Sequence, residues 1–531
     1  MIRSNQYQLA GLNWKMQTKK IIYQIGRLDH NIITDYKFQI DEKTYESKLS
    51  SFALKKHFDE SGDPSKVILI YPYSILLSER RPKFNNKLDE FFDKLKAKDT
   101  EEINQYLKDP YAYLKYHPHS KEANDFIVIH SIGEYMGIKF STSLGDVVLR
   151  IMTDMMQRYL EEPFEEIYLD ISTGLNVYAS AIIEAGRLFL TLISLQKMSL
   201  QKPYLKVYIS FSEPILGDAT KTYKIYKDFQ LDVKAFFQFP ENPNTNNIER
   251  LNLQTYKNVF SAFVDSIFKY FPAEENSKLK YKTNEIVYKA YLFYSALKNN
   301  TPLALCHLFL DKNFRYDEEE IDDITKELIR LLKNKFNSDF TKSPELNSDF
   351  IKSPELDLND FKKMFITLSL AKGMIRVLKN RLKNITQKDE ISVSLKYLED
   401  TFTGEHSLYK SFGLNTNIDY LSRELNKNIK NEVYNACKNG YEWVNHENPE
   451  WTTLYKLVEH NNRRGNNKNR SNKGEFDDRN FKAHCGFERN ITEVSLINNK
   501  DKIKYNTIVN NTKVRYSPDG FEDVVKTLLK S

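Results

Sequence analysis

The stretch EIYLDISTGLN, residues 166–176, decides the fold of the amino-terminal half of this chain. Its apolar centre, followed at once by Ser172, Thr173 and Gly174, is typical of a buried parallel strand that turns into a helix. Helical spacing then continues to residue 195. This strand–turn–helix unit indicates a doubly wound sheet, whose ligands bind beyond the carboxyl ends of the strands.

Short β-rich runs alternate with helical stretches on both sides of this unit, as a repeated βα pattern requires. Helical spacing is also present over residues 48–58 and 145–161. We therefore predict an α/β, Rossmann-like domain over residues 1–235. Its candidate strands are residues 21–25, 36–40, 67–71, 126–130, 166–170 and 205–211.

The composition changes after Lys221, and a Pro- and Asn-rich run predicts a linker over residues 236–250. Downstream the pattern is mainly helical, first in a connecting region over residues 251–405. Residues 406–531 then form a predicted helical domain. It contains a small β-hairpin at 493–516, for which we expect a turn at 498–501.

The connecting region contains a predicted insertion, residues 317–358. Within it NSDFTKSPEL, residues 337–346, is followed directly by NSDFIKSPEL, residues 347–356. A ten-residue tandem copy is too short for a solenoid repeat, so it indicates a duplicated surface loop. The pattern assigns this repeat no function.

Composition places the chain among globular proteins, with 40% hydrophobic and 28% charged residues. The apolar stretches are expected to be too short or interrupted to span a bilayer, and residues 1–20 lack a signal-peptide pattern. The three cysteines have neither disulfide nor zinc-knuckle spacing. We therefore expect a cytoplasmic protein with no membrane contact and no metal site.

The net charge of +6 does not by itself indicate nucleic-acid binding. Five basic residues and no acidic one nevertheless lie between residues 461 and 473. The segment is either a solvated Asn-rich loop or an arm that faces RNA.

Polar residues after the 166–170 strand could bind a phosphate group. Ser172 and Thr173 can donate to phosphate oxygens, Gly174 lets the backbone approach, and Asn176 could contact a ribose or a base edge. The same residue types also serve as plain helix caps. Further candidates at this edge of the sheet are Gly26 and Arg27 after the first strand, Ser131, Ile132 and Gly133 after another, and, less directly, Ser51.

The phosphate-binding signatures of common nucleotide-binding proteins are missing from the sequence. No Gly-x-Gly-x-x-Gly follows a strand, and there is no Walker lysine. Ordinary dinucleotides and triphosphates are therefore disfavoured, and a different nucleotide ligand is expected.

A second constellation, RNFKAH at residues 479–484, combines a guanidinium, a carboxamide and an imidazole. On a helix the side chains of Arg479, Asn480 and His484 can converge on one phosphate. RNA supplies its own nucleophile, the 2′-hydroxyl, so strand cleavage needs in-line geometry, proton transfer and stabilisation of the phosphorane. Arg479 suits the last task, His484 can assist the proton, and Asn480 would orient either neighbour. The alternative is a surface arginine beside a buried, hydrogen-bonded histidine.

Together the two motifs resemble the CARF–HEPN ribonucleases that accompany type III CRISPR systems. RNFKAHCGFE, residues 479–488, looks like the HEPN signature of an Arg, a polar residue and a following His. DISTGLN, residues 170–176, looks like the ligand motif of the CARF domain. The resemblance implies a Rossmann-like CARF domain followed by a mainly α-helical HEPN domain with a small β-hairpin.

In that family, cyclic oligoadenylate binds across a CARF dimer and activates the HEPN dimer. By this similarity Thr173 and Asn176 would contact the activator, while Arg479 and His484 from two subunits would form one composite cleft. A symmetric ring ligand also favours a two-fold interface on physical grounds. Further activator contacts implied here are Gly26, Ser131 and Gly133.

The resemblance thus implies an endoribonuclease that cuts single-stranded RNA without a metal or other cofactor. Its activator would be a cyclic oligoadenylate, with the tetra-adenylate favoured and the hexa-adenylate open. The protein would be a homodimer or a higher even oligomer. Two alternatives remain: a non-catalytic nucleotide-sensing regulator that binds nucleic acid or protein, and a CARF domain that also slowly cleaves its activator.

Overall fold

The computed structural model divides the chain into two compact units. The first contains Met1–Leu190, Tyr204–Val233 and Ile329–Leu358, so most of the predicted insertion belongs to it. The second contains Thr191–Pro203, Lys234–Leu328 and Asn359–Ser531. The residues described are 20–28, 32–77, 84, 87–173, 176–198, 205–215, 218–235, 237–246, 248–252, 255–341, 350–352, 355–383, 385, 391–441, 451–464, 476–496 and 511–531.

The strands of the first unit form an eight-stranded mixed sheet and a three-stranded sheet. They are β1 (Lys20–Ile25), β2 (Tyr36–Ile40), β3 (Lys43–Ser47), β4 (Ser65–Pro72), β5 (Asp125–Ile129), β6 (Gly133–Tyr135), β7 (Ile138–Ser141), β8 (Glu166–Asp170), β9 (Lys206–Ser212), β10 (Thr222–Gln230) and β11 (Phe350–Lys352).

The larger sheet has the order β3-β2-β10-β9-β8-β1-β4-β5. Strands β9, β8, β1, β4 and β5 run parallel, whereas β10 is antiparallel to β9. From β1 the chain first extends the sheet through β4 and β5, and it later returns to the other side of β1 through β8 and β9. The order reverses between β1 and β8, which is where doubly wound sheets bind ligands. The Rossmann-like fold is therefore confirmed.

Helices cover this sheet because the crossovers between parallel strands are helical. The centres of the parallel strands are mainly apolar, and Ile22, Leu69 and Leu169 are fully buried. The helices before residue 200 are Ser50–Glu60, Lys87–Lys96, Thr100–Lys108, Pro110–Leu114, Leu144–Glu161 and Asn176–Gln196.

The helix Asn176–Gln196 corrects one expectation drawn from the sequence. By length and composition it is apolar enough to cross a membrane, with a mean hydropathy of 1.4. Of that apolar window, 56% is buried inside the structure, and the core helix of a soluble protein passes the same test. Uninterrupted apolar runs underestimate its hydropathy, because Glu184 and Arg187 divide this helix.

The tandem decamer contributes regular structure, so the prediction of a plain surface loop is wrong for its described part. The first copy begins within the helix Glu318–Thr341. The second copy supplies β11, which pairs in parallel with β7 and places Phe350 opposite Lys139. Residues 342–349 and 353–354 lie outside the described residues.

The second unit is mostly helical and has a four-stranded sheet, as predicted in outline. Its strands are β12 (Val393–Ser394), β13 (Thr452–Thr453), β14 (Thr492–Leu496) and β15 (Thr512–Tyr516). The helices after residue 250 are Ser261–Phe268, Ala273–Lys298, Pro302–Leu310, Glu318–Thr341, Leu358–Arg381, Leu395–Phe402, Leu408–Ser411, Asn415–Arg423, Asn431–Lys438, Leu454–Arg464, Asp478–Ala483 and Gly520–Leu529, with a π-helical segment at Glu424–Lys430.

The predicted hairpin is present, because β14 and β15 pair antiparallel. Their register sets Leu496 opposite Thr512, so the strands are joined by residues 497–511. The turn expected at 498–501 lies outside the described part of the chain, as do the other residues from 497 to 510. The alternation of residues thus located both strands of the hairpin.

Candidate functional site

The second constellation lies on the short helix Asp478–Ala483. Asp477 caps its amino terminus, since its carboxylate accepts from the backbone N–H groups of Arg479 at 2.8 Å and Asn480 at 3.3 Å. This cap satisfies amides that a helix leaves unpaired at its start. Arg479 and Asn480 are both exposed to solvent. A guanidinium and a carboxamide are thereby presented at the surface of the second unit.

His484 caps the carboxyl end of this helix, and the turn that follows it contains two residues in the left-handed backbone conformation. Cys485 and Gly486 have positive φ angles of 52° and 82°. The N–H of Gly486 donates to the carbonyl of Phe481 at 2.8 Å, and the hydroxyl of Tyr516 donates to the Gly486 carbonyl at 2.9 Å. Because Phe481 is fully buried, the turn fixes the direction in which His484 leaves the helix.

The imidazole of His484 is held by a carboxylate from another helix. Nδ1 lies 3.2 Å from Oε1 of Glu424 and 3.4 Å from Oε2. The His484 side chain is 33% exposed, whereas that of Glu424 is only 10% exposed. The hydrogen bond to Glu424 raises the pKa of His484 above its usual value, against the opposing effect of partial burial. The ring therefore keeps its positive charge to a higher pH than a free histidine does.

The structure brings His484 and Glu424 together, and sequence reasoning missed the second of them. Glu424 is 60 residues upstream, so no spacing within the RNFKAH run points to it. Among 72 acidic residues a single glutamate inside a predicted helix carries no signal of its own. Asn480, predicted to orient either neighbour, is exposed, and the imidazole of His484 contacts Glu424.

The basic segment near the motif is only partly described. Arg463 is exposed at the end of the helix Leu454–Arg464 and donates to Glu459 at 2.6 Å. Lys468, Arg470 and Lys473 lie outside the described residues. The choice between a solvated loop and an RNA-facing arm therefore stays open.

In the first unit, the predicted ligand residues follow the carboxyl ends of neighbouring parallel strands. Gly26 follows β1, Ser131 follows β5 and Ser172 follows β8. Gly26 has little room, because a Cβ there would lie 2.2 Å from the ring of the fully buried Tyr71. These positions share one edge of the sheet, and the β1–β8 switch point lies within it.

Several polar side chains at this edge form hydrogen bonds within the protein. Ser51 is fully buried and its hydroxyl donates to Oε1 of Gln24. The amide of Gln24 donates to Ser50 Oγ at 2.9 Å and to Asp170 Oδ1 at 3.3 Å. Oγ of Ser172 accepts from the backbone N–H of Ser212 at 2.9 Å. The hydroxyl groups of Ser51 and Ser172 thus form intramolecular hydrogen bonds that stabilise the loops.

Asp170 is the buried centre of this network. Oδ1 accepts from the Ser172 N–H at 2.9 Å, while Oδ2 is buried and has no hydrogen-bond partner among the described residues. Burial raises the pKa of Asp170 to about 6. The carboxyl end of β8 therefore carries a group that changes charge close to neutral pH.

The loop after β5 is likewise tied to its surroundings. Ser131 is buried, and its Oγ donates to Ser74 Oγ at 2.8 Å. The N–H of Ile132 donates to the hydroxyl of Tyr178 at 3.1 Å. Gly133 is exposed with a φ of 108°, a conformation that favours glycine.

The remaining ligand candidates differ in accessibility. Arg27 donates from Nη2 to the carbonyl of Lys48 at 3.2 Å, and its guanidinium lies 5.5 Å from the ring centroid of Tyr36. Thr173 is half-buried and Asn176, the first residue of its helix, is exposed. Gly174 lies outside the described residues. Among the described ligand candidates, Asn176 and Gly133 are therefore the ones exposed to solvent, and Thr173 is half-buried.

Comparison with known families matches both parts of the chain. A family model described as "CRISPR system endoribonuclease Csx1, CARF domain" matches residues 20–214. A second, "CRISPR system endoribonuclease Csx1, HEPN domain", matches residues 414–508, which include Glu424, Arg479 and His484. No curated protein sequence matches the chain.

The two family matches lie in the order that the motifs predicted, and together they span more than half of the chain. The first covers every strand of the Rossmann-like sheet except β10, and the second covers the helix that carries Arg479 and the carboxylate that holds His484. The chain therefore belongs to the CARF–HEPN ribonucleases associated with CRISPR systems, and it is a CRISPR-associated endoribonuclease.

Proposed function

We propose that this protein is a metal-independent endoribonuclease that cuts single-stranded RNA in the cytoplasm when a cyclic oligoadenylate binds its CARF domain. It would act in the antiviral defence of a type III CRISPR system. One observation carries the proposal: a partly exposed His484, held by Glu424, ends the helix that exposes Arg479. A buried structural histidine, which was the alternative, does not fit an imidazole with a third of its surface open.

The chemistry follows from the substrate and these side chains. The 2′-oxygen of RNA attacks the adjacent phosphorus and loses its proton, while the bond from phosphorus to the 5′-oxygen breaks and that oxygen gains a proton. The products are a 2′,3′-cyclic phosphate and a 5′-hydroxyl. Arg479 would stabilise the charge on the phosphorane, and His484 would serve one of the two proton transfers. Asn480 would contact the RNA from the exposed face of the same helix.

A dimer would complete the site. One Arg–His pair is sparse for this reaction, and two facing pairs would double the positive field around the phosphodiester. A two-fold interface also suits a symmetric ring ligand, since both subunits then offer it the same residues. We therefore propose a homodimer, or a higher even oligomer, with the ring bound across the CARF edge.

The activator would be read at the carboxyl ends of β1, β5 and β8. Asn176 is exposed there, Thr173 is half-buried, and Gly133 offers backbone without a side chain. A cyclic tetra-adenylate is the first ring to test. For activation, the ring must bind the active arrangement more tightly than the resting one.

The test is cleavage of a fluorescent single-stranded RNA with cyclic tetra-adenylate and EDTA present. We expect cleavage by the full chain and loss of at least about a thousandfold in rate for His484→Ala. His460→Ala is the matched control, because His460 is a half-buried histidine of the same unit whose Nε2 lies 3.3 Å from the Asn439 carbonyl. It should cut at close to the wild-type rate.

Two outcomes would overturn parts of this proposal. Full activity in His484→Ala would refute the catalytic assignment. Ring binding by wild-type protein without cleavage under any ring size would favour the non-catalytic regulator instead. Activator incubated with the His484→Ala protein would yield linear oligoadenylate if the CARF domain also cleaves its own ligand.

A further inference from the structure

We infer that Glu424, tethered by Asn428, is the positioning residue that fixes the tautomer and orientation of His484, so that Nε2 is the nitrogen offered to RNA. The inference rests on the proposed nuclease function and deepens it. Glu424 does not belong to the RNFKAH run, and it acts through the imidazole without itself contacting the substrate.

The tautomer follows from the chemistry of the two partners. An ionised carboxylate has acceptors only, so the short contact with Nδ1 requires that nitrogen to carry a proton. Both carboxylate oxygens lie within 3.4 Å of Nδ1. In the neutral ring Nε2 is then left with its lone pair, and in the charged ring Nε2 carries the second proton. Either way Nε2 is the atom available for proton transfer.

The backbone around Glu424 explains how the carboxylate is aimed. Glu424 opens the π-helical segment Glu424–Lys430, directly after the helix Asn415–Arg423. π-Helical turns are rare in proteins, and those that occur are frequently found at functional sites. The Asn428 side chain donates from Nδ2 to Oε2 of Glu424 at 2.7 Å. This second donor holds the buried carboxylate in place.

The charges around the ring leave Glu424 as the dominant influence on its proton. The hydrogen bond and charge of Glu424 raise the pKa of His484, and Glu488 adds a smaller effect in the same direction. Partial burial and the nearby Arg489 lower it. Glu488 itself is buried and its carboxylate accepts from the backbone N–H groups of Asn490 at 2.8 Å and Ile491 at 3.2 Å. It therefore has a structural task of its own.

This arrangement sets what His484 can do at each step. Neutral Nε2 can take the proton from the 2′-hydroxyl as the oxygen–phosphorus bond forms. Charged Nε2–H can instead give its proton to the 5′-oxygen as the bond to phosphorus breaks. In both cases Glu424 stabilises the imidazolium, either as it forms or before it reacts.

The experiment compares Glu424→Gln with the matched control Glu488→Gln in the full chain, under the activator that supports wild-type cleavage. Glutamine keeps the size and an acceptor oxygen but removes the charge. We expect Glu424→Gln to lower kcat by about tenfold to a hundredfold. The limb of the pH–rate profile that reports His484 should also move to lower pH, because the effect that raised its pKa is gone. Glu488→Gln should leave that limb nearly where it is.

A second readout separates this inference from the nuclease function. Long-range ¹H–¹⁵N NMR of the imidazole reports tautomer and titration without RNA, and it should show Nδ1–H in the wild type and a lower pKa in Glu424→Gln. An unchanged tautomer and titration in that variant would overturn the positioning role. If the NMR shift is seen but wild-type protein cuts no RNA under any ring, the proposed nuclease function fails, and a catalytic role for Glu424 with it. Asn428→Ala keeps the carboxylate and should lower kcat only about threefold.

Discussion

The two candidate sites of this protein use polar side chains in opposite ways. At the CARF edge, Ser51 and Asp170 are buried, Ser172 is half-buried, and all three are hydrogen-bonded to neighbouring strands and loops. At the HEPN motif, Arg479 and Asn480 are exposed, and only the imidazole of His484 is held, by a single buried carboxylate. The first site is a network of hydrogen bonds, whereas the second depends on one short helix and the turn that follows it.

This difference has consequences for what each site tolerates. Several hydrogen bonds hold the CARF edge together. The loss of one of them should therefore change the ligand affinity only slightly. In the HEPN site the turn after residue 484 and the carboxylate of Glu424 together set the direction of the imidazole. A change of backbone there should affect stability and catalysis together.

Among the variants that test this difference, Gly486→Ala should have the largest effect. Gly486 has a φ of +82°, and a Cβ there would lie 2.9 Å from the Cβ of Thr301. The left-handed backbone and the close contact together should cost about 3 kcal/mol of unfolding free energy. Thermal unfolding should detect the loss, and RNA cleavage should fall with it because His484 is displaced.

Gly413→Ala is the control for that variant. Gly413 lies in the same unit with a φ of +72°, but a Cβ there would meet nothing within 4 Å. It should cost only about 1 kcal/mol, from the backbone alone. Equal losses in the two variants would show that the Thr301 contact is not what fixes the turn.

The elements of this fold differ in how well the sequence predicts them. The parallel strands were located to within a residue or two, because a strand buried on both faces is a continuous apolar run. Strand β10 was missed, since TYKIYKDFQ alternates with charges and begins where the composition changes. The bounds of the helix Pro302–Leu310 could not be read from periodicity, because PLALCHLFL is buried on all sides and has no polar face.

The sites repeat this pattern at the level of single residues. Arg479, Asn480 and His484 could be named from local spacing because they lie on one helix. Glu424 could not, since its contact with His484 is made by tertiary packing across 60 residues. Likewise, sequence places Ser51 and Ser131 at the ligand edge, but only the structure shows that packing has buried them.

Asp170→Asn tests the network through its pH dependence. Burial raises the pKa of Asp170 to about 6, so the folded state favours the protonated form. The stability that this group contributes is complete below the pKa of about 4 that an unfolded aspartate has, and it is lost as the pH rises through 6. The variant should therefore flatten the dependence of the melting temperature on pH between 4 and 7. At pH 7.5 it should be more stable than the wild type by about 2 kcal/mol.

Asp154→Asn gives the matched contrast, with the opposite sign. Asp154 is also buried in the first unit, but its Oδ2 accepts from Arg158 and Tyr23, each at 2.8 Å. Removing that charge leaves a guanidinium without its partner, so stability at pH 7.5 should fall. If Asp170→Asn also falls at that pH, the carboxylate of Asp170 is satisfied by a group other than those described.

The smallest expected effect separates support from recognition at the CARF edge. Ser172→Ala leaves the N–H of Ser212 without its acceptor, so it should lower the unfolding free energy by about 1 kcal/mol. Thr173 is half-buried beside it and is proposed to contact the activator. Thr173→Ala should therefore leave the melting temperature nearly unchanged and weaken binding of the cyclic tetra-adenylate by about tenfold in calorimetric titration. If the two variants weakened binding equally without a change in stability, Ser172 would also face the ring. The network would then open when the ligand binds, and the contrast between a hydrogen-bonded CARF edge and the exposed helix of Arg479 would hold only for the unliganded protein.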